Sequence, residues 1–283
     1  MAMNLNSSMR FPDITQFPDI TQFPDITQFP DWALWGITLT ASLLVASAGT
    51  VLVRRIHPRL MNEPQLRETV EFIVNGSFVL FGLLMALIAV VAYDQYSAAL
   101  SATQQEAAEL ISIHGISESL PESSSADVVN SVEMYVKCVI DVEWPAMVEG
   151  RSALYPCSPQ AREIGHAVGA LEPATGRESN IQQALFATYG DFLSSRRERV
   201  FYSQRNLPGP LWFVLGLGVI IMTSLIWFMP IKSRLIHAII SGVISLSLAS
   251  IVAVILILTT PFQGSFHVSV YPFREIQAIM EKP

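Results

Sequence analysis

Four apolar runs constrain the fold of this 283-residue chain more than any other feature of its sequence. They cover about residues 32–53, 72–93, 209–229 and 236–259. Each run holds roughly 20 residues with no Asp, Glu, Lys or Arg in its interior, which is the length that a helix needs to cross about 30 Å of hydrocarbon. The sequence therefore predicts an integral membrane protein with four transmembrane helices.

The segment between the second and third runs has the composition of a helical soluble domain. It is rich in Glu, Gln, Ser and Ala, and its length allows a core of its own. The net charge of −7 argues against nucleic acid as a partner. No cleavable signal peptide is expected, because no basic segment precedes the first apolar run. The predicted division is a repeat arm at 1–31, transmembrane helices at 32–93, a soluble domain at 94–208, transmembrane helices at 209–259 and a tail at 260–283.

Residues 11–31 contain an internal repeat, three copies of Phe-Pro-Asp-Ile-Thr-Gln followed by Phe29-Pro30-Asp31. The proline in each copy removes a backbone donor and biases the preceding Phe toward an extended conformation. A period of six is too short for a solenoid of helices. Two interpretations remain open. The arm is either disordered, or it docks regularly spaced Phe and Ile side chains into pockets on a partner.

Helical periodicity extends the second run well beyond the bilayer. A heptad-like seam at alternating steps of four and three predicts one long helix that ends near Ile116. Further helices are predicted at about 127–143, 158–171 and 178–206, and a short extended piece and a helix follow in the tail. No segment alternates with a period of two, so the predicted fold class is all-α. The seam residues are Tyr96, Leu100, Thr103, Ala107, Leu110 and His114.

Small residues at steps of four mark two helices for close packing. Such a ladder lets a neighbouring helix approach closely in a membrane. The first apolar run carries Thr38, Ser42, Ala46 and Thr50, and the fourth carries Ser241, Ser245, Ala249 and Ala253.

The two short loops are basic, and this predicts the orientation of the chain. Arg54, Arg55, Arg59 and Arg67 lie in one loop, and Lys232 and Arg234 lie in the other. The positive-inside rule places both loops in the cytoplasm. Both termini and the soluble domain are then outside, although an arginine-rich segment before the third run opposes this. Cys138 and Cys157 either form a disulfide in an oxidising compartment or remain buried thiols.

Patterns that carry enzymatic or metal chemistry are missing, so we expect a non-enzyme without a cofactor or metal. Five His are scattered without ligand spacing, and no Gly-rich phosphate loop or nucleophile motif occurs. Glu106 and Glu109 are interpreted as a solvated helix face, with a catalytic pair as the alternative. Glu143-Trp144-Pro145 is interpreted as a helix stop with a core Trp, with a site as the alternative. His237 is interpreted as an interfacial residue, with a haem or chlorophyll ligand as the alternative.

Taken as a set, short motifs over about residues 33–275 resemble the bestrophin-like family of bacterial membrane proteins. The resemblance implies a four-helix protein of the bacterial inner membrane with an inserted helical domain, which the charge of the short loops places on the outer side. The matching residues are Tyr93-Asp94-Gln95-Tyr96, Glu106-Ala107-Ala108-Glu109-Leu110, Tyr135, Glu143-Trp144-Pro145, Arg196-Arg197 with Arg199, Leu207-Pro208 with Leu211-Trp212, and Pro261-Phe262-Gln263-Gly264.

A more distant similarity links the chain to bestrophins themselves, which are pentameric anion channels with an aromatic neck on the second helix. It implies a pore lined by Asn75, Phe78 and Phe81, although both rings are also suited to packing between helices. Bestrophins follow Pro-Phe-Gly with an acidic calcium clasp. Here Ser265-Phe266-His267-Val268 follows instead, so calcium gating is not expected, because calcium needs several carboxylates.

Two functions follow from these patterns. The first is a homo-oligomeric ion channel in the lipid bilayer, with anions as the ions that the resemblance implies. The second is a structural or accessory subunit of a larger membrane complex, which would use the repeat arm and the helical domain as contact surfaces.

Overall fold

The computed structural model describes residues 64–150, 156–204, 207–229, 231, 233–264 and 266–281, together with scattered helical positions between 36 and 55. Every regular element in these ranges is helical, with no β-strand, which confirms the all-α class. The elements are α1 Pro64–Ser117, α2 Glu122–Cys138, a π-helical turn Val139–Glu143, α3 Trp144–Val148, α4 Ser158–Gly169, α5 Gly176–Gln204, α6 Gly209–Trp227, α7 Arg234–Thr259 and α8 Tyr271–Met280.

Several sequence predictions fall outside these ranges. The repeat arm and most of the first apolar run belong to this group. So do Thr38, Ser42, Ala46 and Thr50, and the basic loop residues Arg54, Arg59 and Lys232.

Three stretches are long and apolar enough to cross a bilayer: Glu68–Ser117 in α1, Gly176–Trp227, which contains α5 and α6, and Leu235–Thr259 in α7. They correspond to the second, third and fourth apolar runs of the sequence. The chain is therefore a membrane protein by the length and composition of its helices.

Helix α1 is a rod of 54 residues, about 80 Å long at 1.5 Å per residue. It ends one residue after the predicted Ile116, so the continuous helix is confirmed. The heptad seam explains how the rod is held, because Thr103, Ala107 and Leu110 are buried along it.

Two hydrophobic cores flank α1 at different levels. The upper core joins α1 to α2, α4, α5 and α8 around Tyr135, Phe192 and Phe273. The lower core joins α1 to α6 and α7 around Phe81, Met85 and Ile255. One helix thus belongs to both halves of the molecule.

The predicted helix stop at Pro145 is wrong. Helix α2 ends at Cys138, a π-helical turn spans Val139–Glu143, and α3 begins at Trp144 with Pro145 in its first turn. A proline is tolerated there because the first N–H groups of a helix have no intrahelical partner. The helical path ends instead at Gly150, whose φ of 65° favours glycine.

Candidate functional site

Five polar side chains from different elements meet inside the upper core. Glu106 comes from α1, Tyr135 from α2, Glu143 from the π-helical turn, and Arg196 and Arg199 from α5. All five are buried, and Glu106, Tyr135 and Arg199 have no exposed surface. Two carboxylates and two guanidinium groups make the cluster electrically neutral. We call these five side chains the buried network.

Arg199 lies at the centre of the buried network. Its Nε is 2.6 Å from Glu106 Oε2, and its Nη2 donates to Glu106 Oε1 at 3.1 Å and to Glu143 Oε1 at 2.5 Å. Phe273 of α8 covers the guanidinium with its ring centre 5.6 Å from Cζ. One side chain therefore connects α1, the π-helical turn, α5 and α8.

The remaining donors complete the buried network. Arg196 Nη2 donates to Glu143 Oε2 at 2.9 Å, and its Nε donates to the Tyr135 hydroxyl at 3.0 Å. The Tyr135 hydroxyl in turn donates to Glu106 Oε1. The backbone N–H of Cys157 donates to Glu143 Oε2 at 3.2 Å. Buried charges are tolerated when they are paired and hydrogen-bonded in this way.

Electrostatics inside the buried network favour the ionised forms of Glu143 and Arg199. Burial alone would raise the pKa of Glu143, but Arg199 and Arg196 together outweigh it and hold that pKa below its usual value. Burial alone would lower the pKa of Arg199, but Glu106, Tyr135 and Glu143 hold it well above its usual value. Burial, reinforced by the charge of Glu106, raises the pKa of Tyr135 well above its usual value. The tyrosine is therefore a neutral donor.

The solvated-face interpretation of Glu106 is wrong. Its side chain points into the core because it shares the buried side of α1 with Thr103 and Leu110. Position 106 lies three residues after one and four before the other, so the seam itself carries the signal that Glu106 faces inward. Glu109 is half-buried and accepts from Ser195 Oγ at 3.0 Å. Burial raises its pKa.

Cys138 and Cys157 are joined as a disulfide, with Cα atoms 5.9 Å apart. The bridge closes over the π-helical turn that carries Glu143. Trp144 follows that turn and packs edge-on against Phe262, with ring centres 5.5 Å apart. The tail segment Pro261-Phe262-Gln263-Gly264 is thereby fixed to the helical domain.

One face of α1 is not covered by the other residues that the structure describes. It runs without a break from the apolar run into the helical domain, with every member exposed at spacings of three and four residues. We call it the open α1 face. Its members are Phe72, Gly76, Val79, Leu83, Leu87, Val90, Asp94, Ser97, Ser101, Gln105, Ala108, Ser112 and Gly115.

The structure separates the three predicted pore residues. Asn75 is exposed beside the open α1 face. Phe78 is half-buried against the lower core. Phe81 is buried, and its ring lies so close to Gly218 of α6 that a β-carbon there would come within 1.9 Å of it. Both rings thus pack between helices of one chain, and a neck made by Phe81 would require its ring to leave this contact.

The small-residue ladder of α7 faces partly inward. Ser241 and Ser245 are buried, whereas Ala249 and Ala253 are half-buried. That these residues set the spacing between helices stays a prediction. His237 is fully buried within the protein, with Nε2 3.0 Å from the Ile226 carbonyl oxygen, and its place at the membrane interface stays a prediction. The first turn of α7 folds back against the end of α6, which removes the ring from the surface.

Within the part of the chain that the structure describes, no group of three or more His, Cys, Asp or Glu side chains is arranged to hold a metal ion. The polar chemistry of this part is concentrated in the buried network, whose members are already paired with one another. An opening for a substrate is not required to explain their arrangement.

The described helices define an all-helical membrane protein in which one long helix contributes to two hydrophobic cores. The profile of the bestrophin-like domain matches residues 40–273. The chain belongs to the bestrophin-like family. A search of curated protein sequences gives no match.

Two solved structures are similar in fold. A bacterial bestrophin homologue from Klebsiella pneumoniae, carrying a point mutation, has a TM-score of 0.68 and 11% identity and covers 87% of this chain and 97% of its own. A crystal structure described as that of a membrane protein also has a TM-score of 0.68, with 10% identity, and covers 88% of this chain and 100% of its own. At such identities the similarity shows the fold alone.

Proposed function

We propose that this chain assembles with copies of itself into an ion channel whose pathway is lined by the open α1 face. The observation that carries the proposal is the length of that face, which stays uncovered from Phe72 to Gly115. The bestrophin-like family and its fold support the same assembly. The resemblance to bestrophins makes anions the first ions to test.

Two features of α1, an exposed amide beside the open α1 face and the small residues in its upper part, favour water and other copies of the chain over lipid. Asn75 is exposed inside an apolar run, and an amide facing hydrocarbon would lose hydrogen bonds to water. Beyond Asp94 the face consists mainly of small, uncharged residues. Small residues allow helices to approach closely around an axis, whereas an ordinary solvated helix face carries charges.

Four membrane spans are part of the proposal, with the first apolar run as the fourth span. The basic short loops would lie in the cytoplasm, and the helical domain and both termini would lie outside the inner membrane. The disulfide supports this side, because disulfides persist in oxidising compartments. A cysteine introduced at Ser123 should react with a membrane-impermeant maleimide in intact cells, and one at Ser233 should react only after permeabilisation. The reverse labelling pattern would show that the chain has the opposite orientation in the membrane.

The channel itself is tested by reconstituting the purified oligomer into vesicles and measuring ion flux per folded particle. Val79 and Leu83 are two of the apolar residues that the open α1 face carries within the apolar run, and apolar constrictions close by dewetting. Leu83→Ser should raise the flux. Ile220→Ser is the matched control, because Ile220 is exposed on α6, away from the open α1 face.

Flux that rises equally in both variants would point to general leakiness instead of a pathway along α1. If the folded oligomer does not conduct under any ion gradient, in wild type or in Leu83→Ser, the proposed channel function is rejected. Co-purification with a different membrane protein would then favour an accessory subunit.

A further inference from the structure

We propose that Asp94 forms a ring of carboxylates in the assembled channel and makes its pathway prefer cations over anions. This inference rests on the proposed function, because the ring exists only if copies of α1 surround a common axis. It departs from the anion preference that the bestrophin resemblance implies.

Asp94 lies near the middle of the open α1 face. It follows Leu83 by eleven residues, about three turns at 3.6 residues per turn, and precedes Ser101 by seven residues, about two turns. All three side chains are exposed. If Leu83 faces the pathway, helical geometry makes Asp94 face it too, where the apolar run passes into the helical domain.

Asp94 is also the one exposed carboxylate of α1 between Val70 and Gly115. The carboxylate of Glu106 is paired with Arg199 in the buried network. Glu109 is half-buried and accepts a hydrogen bond from Ser195, and Glu71 is half-buried. Asp94 itself has no hydrogen bond or ion pair with the described residues. Its charge is therefore not neutralised by a neighbour among the described residues.

Positive charge is missing along the same stretch. The sequence from Val70 to Gly115 contains no Lys and no Arg, so this part of α1 offers an anion no Lys or Arg side chain. Rings of acidic side chains select cations, and rings of basic side chains select anions. The effect requires a narrow pathway, because charges separated by more than about 8 Å are screened at physiological ionic strength.

The test is the reversal potential of the reconstituted channel under a KCl gradient. Wild type should show a higher permeability for K⁺ than for Cl⁻. Asp94→Asn should reduce the K⁺ to Cl⁻ permeability ratio by about tenfold, the lower end of what a charged cleft adds to local ion concentration. Asp94→Lys should reverse the preference. Asp127→Asn is the charge-matched control, because Asp127 is an exposed carboxylate on α2 instead of α1.

A second measurement tests the position of Asp94 without any current. In Asp94→Cys the new thiol is the free one, because Cys138 and Cys157 are bonded to each other. A short bismaleimide should cross-link neighbouring chains at position 94 but not in Asp127→Cys. An intact oligomer that is not cross-linked at position 94 overturns the ring.

The outcomes separate this inference from the channel itself. Conduction with an ion preference that Asp94→Asn leaves unchanged overturns the role of Asp94 and keeps the channel. If the folded oligomer does not conduct, both the channel function and the proposed ring of Asp94 side chains are rejected. Conduction whose preference shifts equally in Asp127→Asn also overturns the inference, because general surface charge then explains the effect.

Discussion

The two halves of α1 are held by different physical means. In the helical domain, α1 is fixed through Glu106, a buried charge that is paired with Arg199. In the membrane bundle, α1 is fixed through Phe81, an aromatic ring that lies against the backbone of Gly218. Around the upper half of α1, the disulfide between Cys138 and Cys157 adds a covalent link. Around the lower half, Gly49 and Trp227 pack as closely as Gly218 and Phe81 do.

The difference follows from the two solvents. Apolar burial drives helices together in water, so the helical domain can also accommodate paired charges, which demand specific partners. Lipid tails are as apolar as Leu, so membrane helices gain stability mainly from close van der Waals contact, for which glycine is suited. Directional bonds thus position the upper half of α1, and shape positions the lower half.

The largest expected effect is the loss of Arg199. Arg199→Met would leave the carboxylates of Glu106 and Glu143 buried without their central partner, and breaking a buried pair costs about 3–5 kcal/mol. The free energy of unfolding, measured by denaturant titration of the detergent-solubilised protein, should fall by that amount. Arg197→Met is the control, because Arg197 follows Arg196 on α5 but its side chain is exposed, and a change within about 0.5 kcal/mol is expected there. Equal losses in both variants would show that the network adds no specific stability.

Loss of the disulfide should have the next largest effect, and only on the upper half. The bridge closes a loop with a sequence separation of 19 residues, for which loop entropy predicts about 3 kcal/mol. Reduction by a phosphine should lower the unfolding free energy by this amount and make the π-helical turn susceptible to proteolysis. Loss of the membrane bundle before the helical domain would contradict the division into two halves.

Much of this architecture is predictable from the sequence, and the exceptions share a physical cause. The apolar runs and the heptad seam predict α1 to within a residue of its end, because periodicity records which side is buried. The solvated face predicted for Glu106 is wrong because a polar residue is assigned to solvent by default. Its burial depends on a partner distant in sequence, such as Arg199, 93 residues after Glu106.

The predicted pore residues also depend on contacts that are distant in sequence. Phe78 and Phe81 stand out in the sequence because they are aromatic, but which side of α1 faces its neighbours depends on α6 and α7. The open α1 face becomes visible only when exposure is known along the whole rod. Aliphatic residues such as Val79 and Leu83 carry no signal of their own in an apolar run.

A smaller effect is expected where shape holds the membrane half. Gly218→Ala would place a β-carbon 1.9 Å from the Phe81 ring, and overpacking of this kind costs about 1–3 kcal/mol. Gly216→Ala is the matched control, because no atom lies within 4 Å of the added carbon. Alanine is the better helix former by about 1 kcal/mol, so the control should be neutral or stabilising. The two changes can be compared by thermal unfolding in the same detergent. Equal unfolding midpoints would show that the contact between Gly218 and Phe81 does not limit the size of the residue at position 218.

The smallest effect is the acid sensitivity of the helical domain. Because the folded state lowers the pKa of Glu143, this carboxylate stabilises the fold above its ordinary pKa, and the stabilisation is lost as the pH falls through the lowered value. One such group adds a slope of at most about 1.4 kcal/mol per pH unit. Glu143→Gln should be less stable than wild type near neutral pH but lose less further stability between about pH 5 and pH 3. Glu133→Gln, an exposed change on α2, should keep the wild-type slope. Glu109 acts with the opposite sign, because burial raises its pKa, so the difference between Glu143→Gln and wild type isolates Glu143. Parallel stability curves for these two proteins would mean that acid acts elsewhere, and the buried network would then not be the pH-sensitive part of the upper half.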